Sequence, residues 1–167
     1  KFSADDYDYL ILPGVGHFGK FAFNIVQNEL HKSILDFINK DKFFLGICVG
    51  MQYMFQSSEE SLNYKGLNLI QEKVKKFKIK DVNGKIPLIG KKAIKETLNW
   101  KGTVLDNFSN GTEMYFLHSY YCKAPRENEL SSTSYNDFSY TSSIRVGNIY
   151  GVQFHPEKSG KIGLGVL

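Results

Sequence analysis

Phe43-Phe44-Leu45-Gly46-Ile47-Cys48-Val49-Gly50-Met51-Gln52 decides how this chain is read. The first residues form a short apolar run suited to a buried strand. Met51-Gln52-Tyr53-Met54-Phe55 can open a helix. A Gly-x-Cys-x-Gly sequence between strand and helix is the cysteine form of a nucleophile elbow, with glycines allowing a sharp turn and close backbone approach. At the N-terminus of a helix the partial positive charge is expected to lower the pKa of the Cys48 thiol. Taken alone, the pentapeptide fits a buried, inert cysteine equally well.

Upstream, Asp8-Tyr9-Leu10-Ile11-Leu12 reads as a strand stopped by Pro13-Gly14. Apolar residues Phe21, Ile25, Val26, Leu30, Ile34, Leu35 and Ile38 recur at helical spacing, which predicts one amphipathic helix over 21–39. Strand, helix and strand make a right-handed βαβ unit of a parallel sheet. Downstream the pattern changes. Segments 76–79, 114–117, 141–146 and 149–154 read as strands with short links. Asn83-Gly84 and Asn110-Gly111 mark turns, and Gly147-Asn148 fits a two-residue hairpin loop. The expected fold is therefore α/β, parallel in its first third and mixed later.

A cysteine nucleophile needs a base, and an imidazole base needs an acceptor to orient it. Gly151-Val152-Gln153-Phe154 is a strand ending at His155-Pro156-Glu157, which brings an imidazole to the strand edge where open parallel sheets gather catalytic groups. Glu157 can turn back to the other ring nitrogen. His118, in Leu117-His118-Ser119-Tyr120-Tyr121, is either a rival base or a structural histidine. His31 reads as a surface or edge residue of the helix. No Cys or His pair has zinc-ligand spacing, so no metal is expected.

The 167 residues suit one domain with a sizeable core, and 42% apolar residues argue against disorder. No apolar run approaches the roughly 18 residues of a membrane span, and two cysteines make no disulfide framework, so a reducing cytoplasm is expected. The net charge of +4 is concentrated in Lys73, Lys75, Lys76, Lys78, Lys80, Lys85, Lys91, Lys92, Lys95 and Lys101. That cluster reads as a solvated face or as a surface for a partner or phosphorylated substrate. No motif for nucleic acid accompanies it.

Four blocks together resemble the class I, triad-type glutamine amidotransferases, and within them the glutaminase subunits of imidazole glycerol phosphate synthase. They are Leu12-Pro13-Gly14-Val15-Gly16-His17-Phe18-Gly19; Leu45 to Gln52, continuing to Ser58-Glu59-Glu60; Tyr115 to Tyr121; and Gly151 to Gly160. The resemblance implies a flavodoxin-like open mixed sheet with helices on both faces, in a single glutaminase domain over 1–167. It implies that Cys48 attacks the carboxamide of L-glutamine, His155 shuttles the proton and Glu157 orients His155. Gly14, Val15, Gly16 and Val49 would hold the oxyanion, and Gln52, Glu60, Ser119 and Tyr120 the substrate. No cofactor is implied. Ammonia would pass to a cyclase subunit of (βα)8-barrel fold in a heterodimer serving histidine biosynthesis, and the glutaminase would stay nearly silent until that partner binds its own substrate.

Two departures from the pattern accompany the match. The family's opening strand and helix, about 30 residues by the size of such a unit, would precede Lys1, and the end at Leu167 falls short of its final helix. Lys91 stands where a tryptophan is common, in Ile86-Pro87-Leu88-Ile89-Gly90-Lys91. Two other readings follow: a paralogous glutaminase feeding ammonia to an enzyme that amidates a surface sugar, or a catalytically inactive regulatory module of the same fold.

Overall fold

A computed structural model describes residues 2–167. Its principal sheet has six strands. They are β1 (Tyr9–Gly14), β2 (Phe43–Cys48), β7 (Lys95–Glu96), β10 (Glu129–Tyr135), β11 (Phe138–Val146) and β12 (Ile149–Val152), in the order β1-β2-β12-β11-β10-β7. β2 pairs in parallel with β1 on one side and β12 on the other. This central place explains its unbroken apolar run, because a strand covered on both faces has no polar side. All of β2 beyond Phe43 is buried. At β12 the sheet changes hand: Val146 pairs with Ile149 across a two-residue Gly147-Asn148 loop, as the sequence predicts, and β10, β11 and β7 continue antiparallel. The sheet is thus parallel where the elbow sits and antiparallel beyond it.

The predicted helix over 21–39 is two helices, α1 (Phe18–Gln27) and α2 (Leu30–Asn39). The Asn24 carbonyl accepts from both the backbone and the side chain of Asn28, and Glu29 then adopts φ 55, which ends the first helix. The apolar period runs through the break because both helices bury residues on the core side, Ala22 and Ile25 in one and Ile34, Phe37 and Ile38 in the other. Strand β1 likewise continues through Pro13-Gly14 instead of stopping there.

The expected helix after the elbow is a single turn, α3 (Val49–Gln52). The chain then enters β3 (Phe55–Ser58), which joins β4 (Ser61–Lys65), β5 (Ile70–Lys76) and β9 (Tyr120–Tyr121) in a second sheet ordered β4-β3-β5-β9. The strand predicted over 76–79 is corrected: β5 ends at Lys76, and Ile79 begins α4 (Ile79–Val82) with its side chain 69% exposed. The alternation there reflects one anchored ring. Phe77 packs on Tyr121, Tyr140 and His118, whereas Ile79 faces solvent. A third, two-stranded sheet pairs β6 (Leu88–Ala93) with β8 (Glu113–His118) and carries His118 toward the edge of β2. Of the clustered lysines only Lys92 is half-buried, its ammonium 5.4 Å from the Tyr135 ring, and the others are exposed.

Candidate active site

The last residue of β2, Cys48, has φ 54 and ψ −107. Positive φ at a non-glycine residue costs about 1–3 kcal/mol and persists only where neighbours enforce it. Here the neighbours are backbone. A Cβ on Gly50 would collide with the Leu12 carbonyl oxygen, and one on Gly46 would lie 2.7 Å from the Gly50 oxygen. Gly14 is equally tight, with a Cβ there falling 2.9 Å from the Gly50 nitrogen. The glycines of the motif therefore serve close approach, and the strained torsion falls on the cysteine itself.

The Cys48 thiol is only 3% exposed. Burial pushes its pKa up to about 12; the Val49 N–H and the Gln153 amide pull it down, while Glu157 and Glu60 push it further up. This corrects the lowered pKa expected from the sequence. α3 is a single turn and supplies little dipole, so desolvation wins. At rest Cys48 is a thiol, and its proton must be taken by a neighbour before it can attack.

A candidate base lies beyond the end of the adjacent strand. β12 runs beside β2 with Val152 opposite Ile47, and the chain reaches His155 three residues later. The His155 N–H donates to the Tyr115 carbonyl at 2.8 Å, and Ser159 Oγ donates to the His155 carbonyl at 2.7 Å. The imidazole is 2% exposed and its Nδ1 lies 2.8 Å from Glu157 Oε1. A carboxylate only accepts, so Nδ1 carries the hydrogen and Nε2 keeps a lone pair for a proton.

Cys48 and His155 open on one cavity of about 300 Å³. Val15, Gly16 and Val49 line it, and so do Gln52, Glu60, Ser119 and Tyr120. Of the residues expected from the sequence, only Gly14 and Glu157 stay off its wall: Gly14 packs beneath the elbow, and Glu157 stands behind His155. Glu60 Oε2 accepts the Phe18 N–H at 2.7 Å, which ties the end of the Gly14-Val15-Gly16 loop to the β3–β4 turn. Among the described residues no group of three or more His, Cys, Asp or Glu is placed to hold a metal ion.

His118 also lines the cavity. Its Nδ1–H donates to the Tyr120 carbonyl at 2.8 Å, and burial lowers its pKa to about 4, which keeps the ring neutral. Among the described residues no carboxylate bonds to it. His31 is half-buried, bonded at 2.8 Å to the Tyr53 hydroxyl, and His17 caps α1 by accepting the Gly19 N–H. Sequence reasoning misses one polar group. Gln153, fully buried, points its amide nitrogen at Cys48 Sγ, 3.6 Å away. β12 ends at Val152, short of the strand predicted to 154, so Gln153 sits in the bend that follows; its signal in the sequence is a lone glutamine in an otherwise apolar run, two residues before His155.

The model of the family described as "Glutamine amidotransferase class-I" matches residues 3–163. The chain belongs to that family. It is 37% identical over 164 residues to "Imidazole glycerol phosphate synthase subunit HisH" of Thermotoga maritima, covering 98% of this chain and 75% of the relative. It is 38% identical over 162 residues to the protein of the same name from Pyrococcus furiosus, covering 96% and 79%. Among solved structures, "Structure of PurLQS from Thermotoga maritima" superposes with a TM-score of 0.69 at 19% identity, covering 99% of this chain and 79% of the other. "Crystal structure of glutamine amidotransferase" gives 0.68 at 11% identity, covering 98% and 82%. These structural likenesses show the amidotransferase fold. Among the described residues no helix is long and apolar enough to cross a membrane.

Proposed function

We propose that this chain is the glutaminase subunit of an imidazole glycerol phosphate synthase, which hydrolyses L-glutamine and hands ammonia to a cyclase partner. One observation carries the chemistry: a strained Cys48 at the end of β2 and a Glu157-bonded His155, three residues past the end of neighbouring β12, share a cavity of amino-acid size. The named relatives supply the pathway.

The reaction follows from these groups. His155 Nε2 takes the Cys48 proton, and Glu157 stabilises the imidazolium through Nδ1–H. The thiolate attacks the side-chain carboxamide carbon of glutamine. The oxyanion forms at the Val49 N–H, with a second donor from Gly14-Val15-Gly16. His155 returns the proton to the nitrogen, which leaves as ammonia, and a γ-glutamyl thioester remains on Cys48. Water then attacks with His155 as base, releasing glutamate and restoring the thiol. Glu60 suits the substrate's ammonium, and the Ser119-Tyr120 segment lines the remaining wall.

The partner is proposed to be a cyclase of barrel fold. The match to "Imidazole glycerol phosphate synthase hisHF, chloroplastic" of Arabidopsis thaliana, 40% identical, covers 96% of this chain but 27% of that one, so most of that protein lies outside the match. The loop supports partner control: Val15 is 73% exposed and a Cβ at Gly16 would meet open space, so its donor is free to be reoriented. The test is glutamate release from glutamine with and without the cyclase and its nucleotide substrate. Stimulation of about 10²–10³, the worth of one oxyanion donor, is expected. Full activity without the partner would remove the switch. Stimulation only by a sugar-amidating enzyme would select the paralogous subunit instead.

A further inference from the structure

Two buried glutamines connect the substrate wall to the nucleophile. The Tyr120 carbonyl, which can only accept, takes the His118 Nδ1–H at 2.8 Å and a Gln52 amide atom at 3.3 Å. That Gln52 atom must therefore be Nε2, a donor. Its other contact, at 3.1 Å, must be an acceptor, which makes it Gln153 Oε1. The atom left to Gln153 is Nε2, and it faces Cys48 Sγ at 3.6 Å. One backbone carbonyl thus orients both amides and aims a donor at the sulfur. Gln52 is 3% exposed and Gln153 not at all, and the contacts between the two amides and from Gln153 to the sulfur are buried.

We propose that Gln52 and Gln153 form an amide relay that ties the Ser119-Tyr120 segment to the Cys48 sulfur, with Gln153 the positioning residue that holds the sulfur for attack. An N–H donor binds a thiolate more strongly than a thiol, because the bond becomes charge-assisted. The other groups around the sulfur work mostly the opposite way. Glu157 beyond β12 and Glu60 between β3 and β4 oppose the anion, the Val49 N–H favours it, and His155 exchanges its proton. The buried Cys122 thiol lies near enough to interact. A shift of the Tyr120 carbonyl when glutamine enters would pass through Gln52 to Gln153 and change the donor offered to sulfur. This last consequence rests on the glutaminase reading; the bond to sulfur does not.

The experiment is alkylation of Cys48 by iodoacetamide across pH in the full chain without glutamine, read by mass spectrometry of the Cys48 peptide. Gln153→Met removes the donor and keeps the side-chain length. At each pH below the midpoint its alkylation is expected to run about tenfold slower than that of the native chain. Gln52→Met, which does not touch the sulfur, is expected to shift the profile the same way by about threefold, since one anchoring hydrogen bond is worth that much. An unchanged profile in a folded Gln153→Met protein overturns the relay. Should that variant fail to fold, Gln52→Met decides, and an unchanged profile there overturns it too. Both shifts in the variants, together with no glutamate release by the native chain and its partner, would sink the glutaminase reading and leave the relay standing.

Discussion

The elbow at Cys48 and the loop at Gly14-Val15-Gly16 face the same cavity and are built in opposite ways. In the elbow, three backbone segments touch. Gly46 and Gly50 have no room for a methyl group, and the strain of φ 54 is locked onto Cys48. In the loop, Gly14 is wedged beneath the elbow, but Val15 is exposed, and a methyl group on Gly16, at φ +88, would meet nothing within 4 Å. On the proposed mechanism the nucleophile is therefore fixed in place, whereas the second oxyanion donor is left adjustable. A site arranged this way can hold its cysteine ready and still wait for a signal.

The contrast can be broken most severely at the nucleophile. Cys48→Ser should lower glutaminase turnover by about 10⁴ or more, measured as glutamate release, with the fold kept. Glu157→Gln should lower kcat by about 10²-fold, because the neutral amide can no longer stabilise the imidazolium as a carboxylate does. That effect is smaller than for a fully buried carboxylate, since the Glu157 side chain is 48% exposed. Gly50→Ala should act on stability. Its methyl would collide with the Leu12 carbonyl, and a loss of about 3 kcal/mol or more is expected in denaturant titration. Gly16→Ala sharpens the comparison from the other side. It has space but the wrong torsion, so about 1 kcal/mol of stability and about tenfold in kcat should go, with Cys48 alkylation unchanged. Equal losses of stability at Gly50 and Gly16 would erase the distinction between the two regions.

The same contrast explains what is legible in the sequence. The parallel core can be read because β2 is central and uniformly apolar, and the Gly147-Asn148 hairpin because its turn chemistry is local. Cys48 is legible because it ends a strand between glycines, and His155 and Glu157 because they flank a proline just beyond one. The break at Asn28-Glu29 is hidden, since two helices that bury one side leave the apolar period intact. Strands β3, β4, β6 and β10 escape notice because their alternation is weak or masked by serines and lysines. The state of the thiol is hidden for a different reason. A motif reveals the turn at Cys48, but its pKa is set chiefly by burial, which only the folded chain decides, with the carboxylates of Glu157 and Glu60 adding to the rise.

The most direct measurement is acid-quenched mass spectrometry of the chain turning over glutamine with its cyclase partner. A γ-glutamyl adduct confined to the Cys48 peptide, and absent from Cys48→Ser, is the expected result. Glutamate release at the native rate by Cys48→Ser, or an adduct on any other residue, would contradict it.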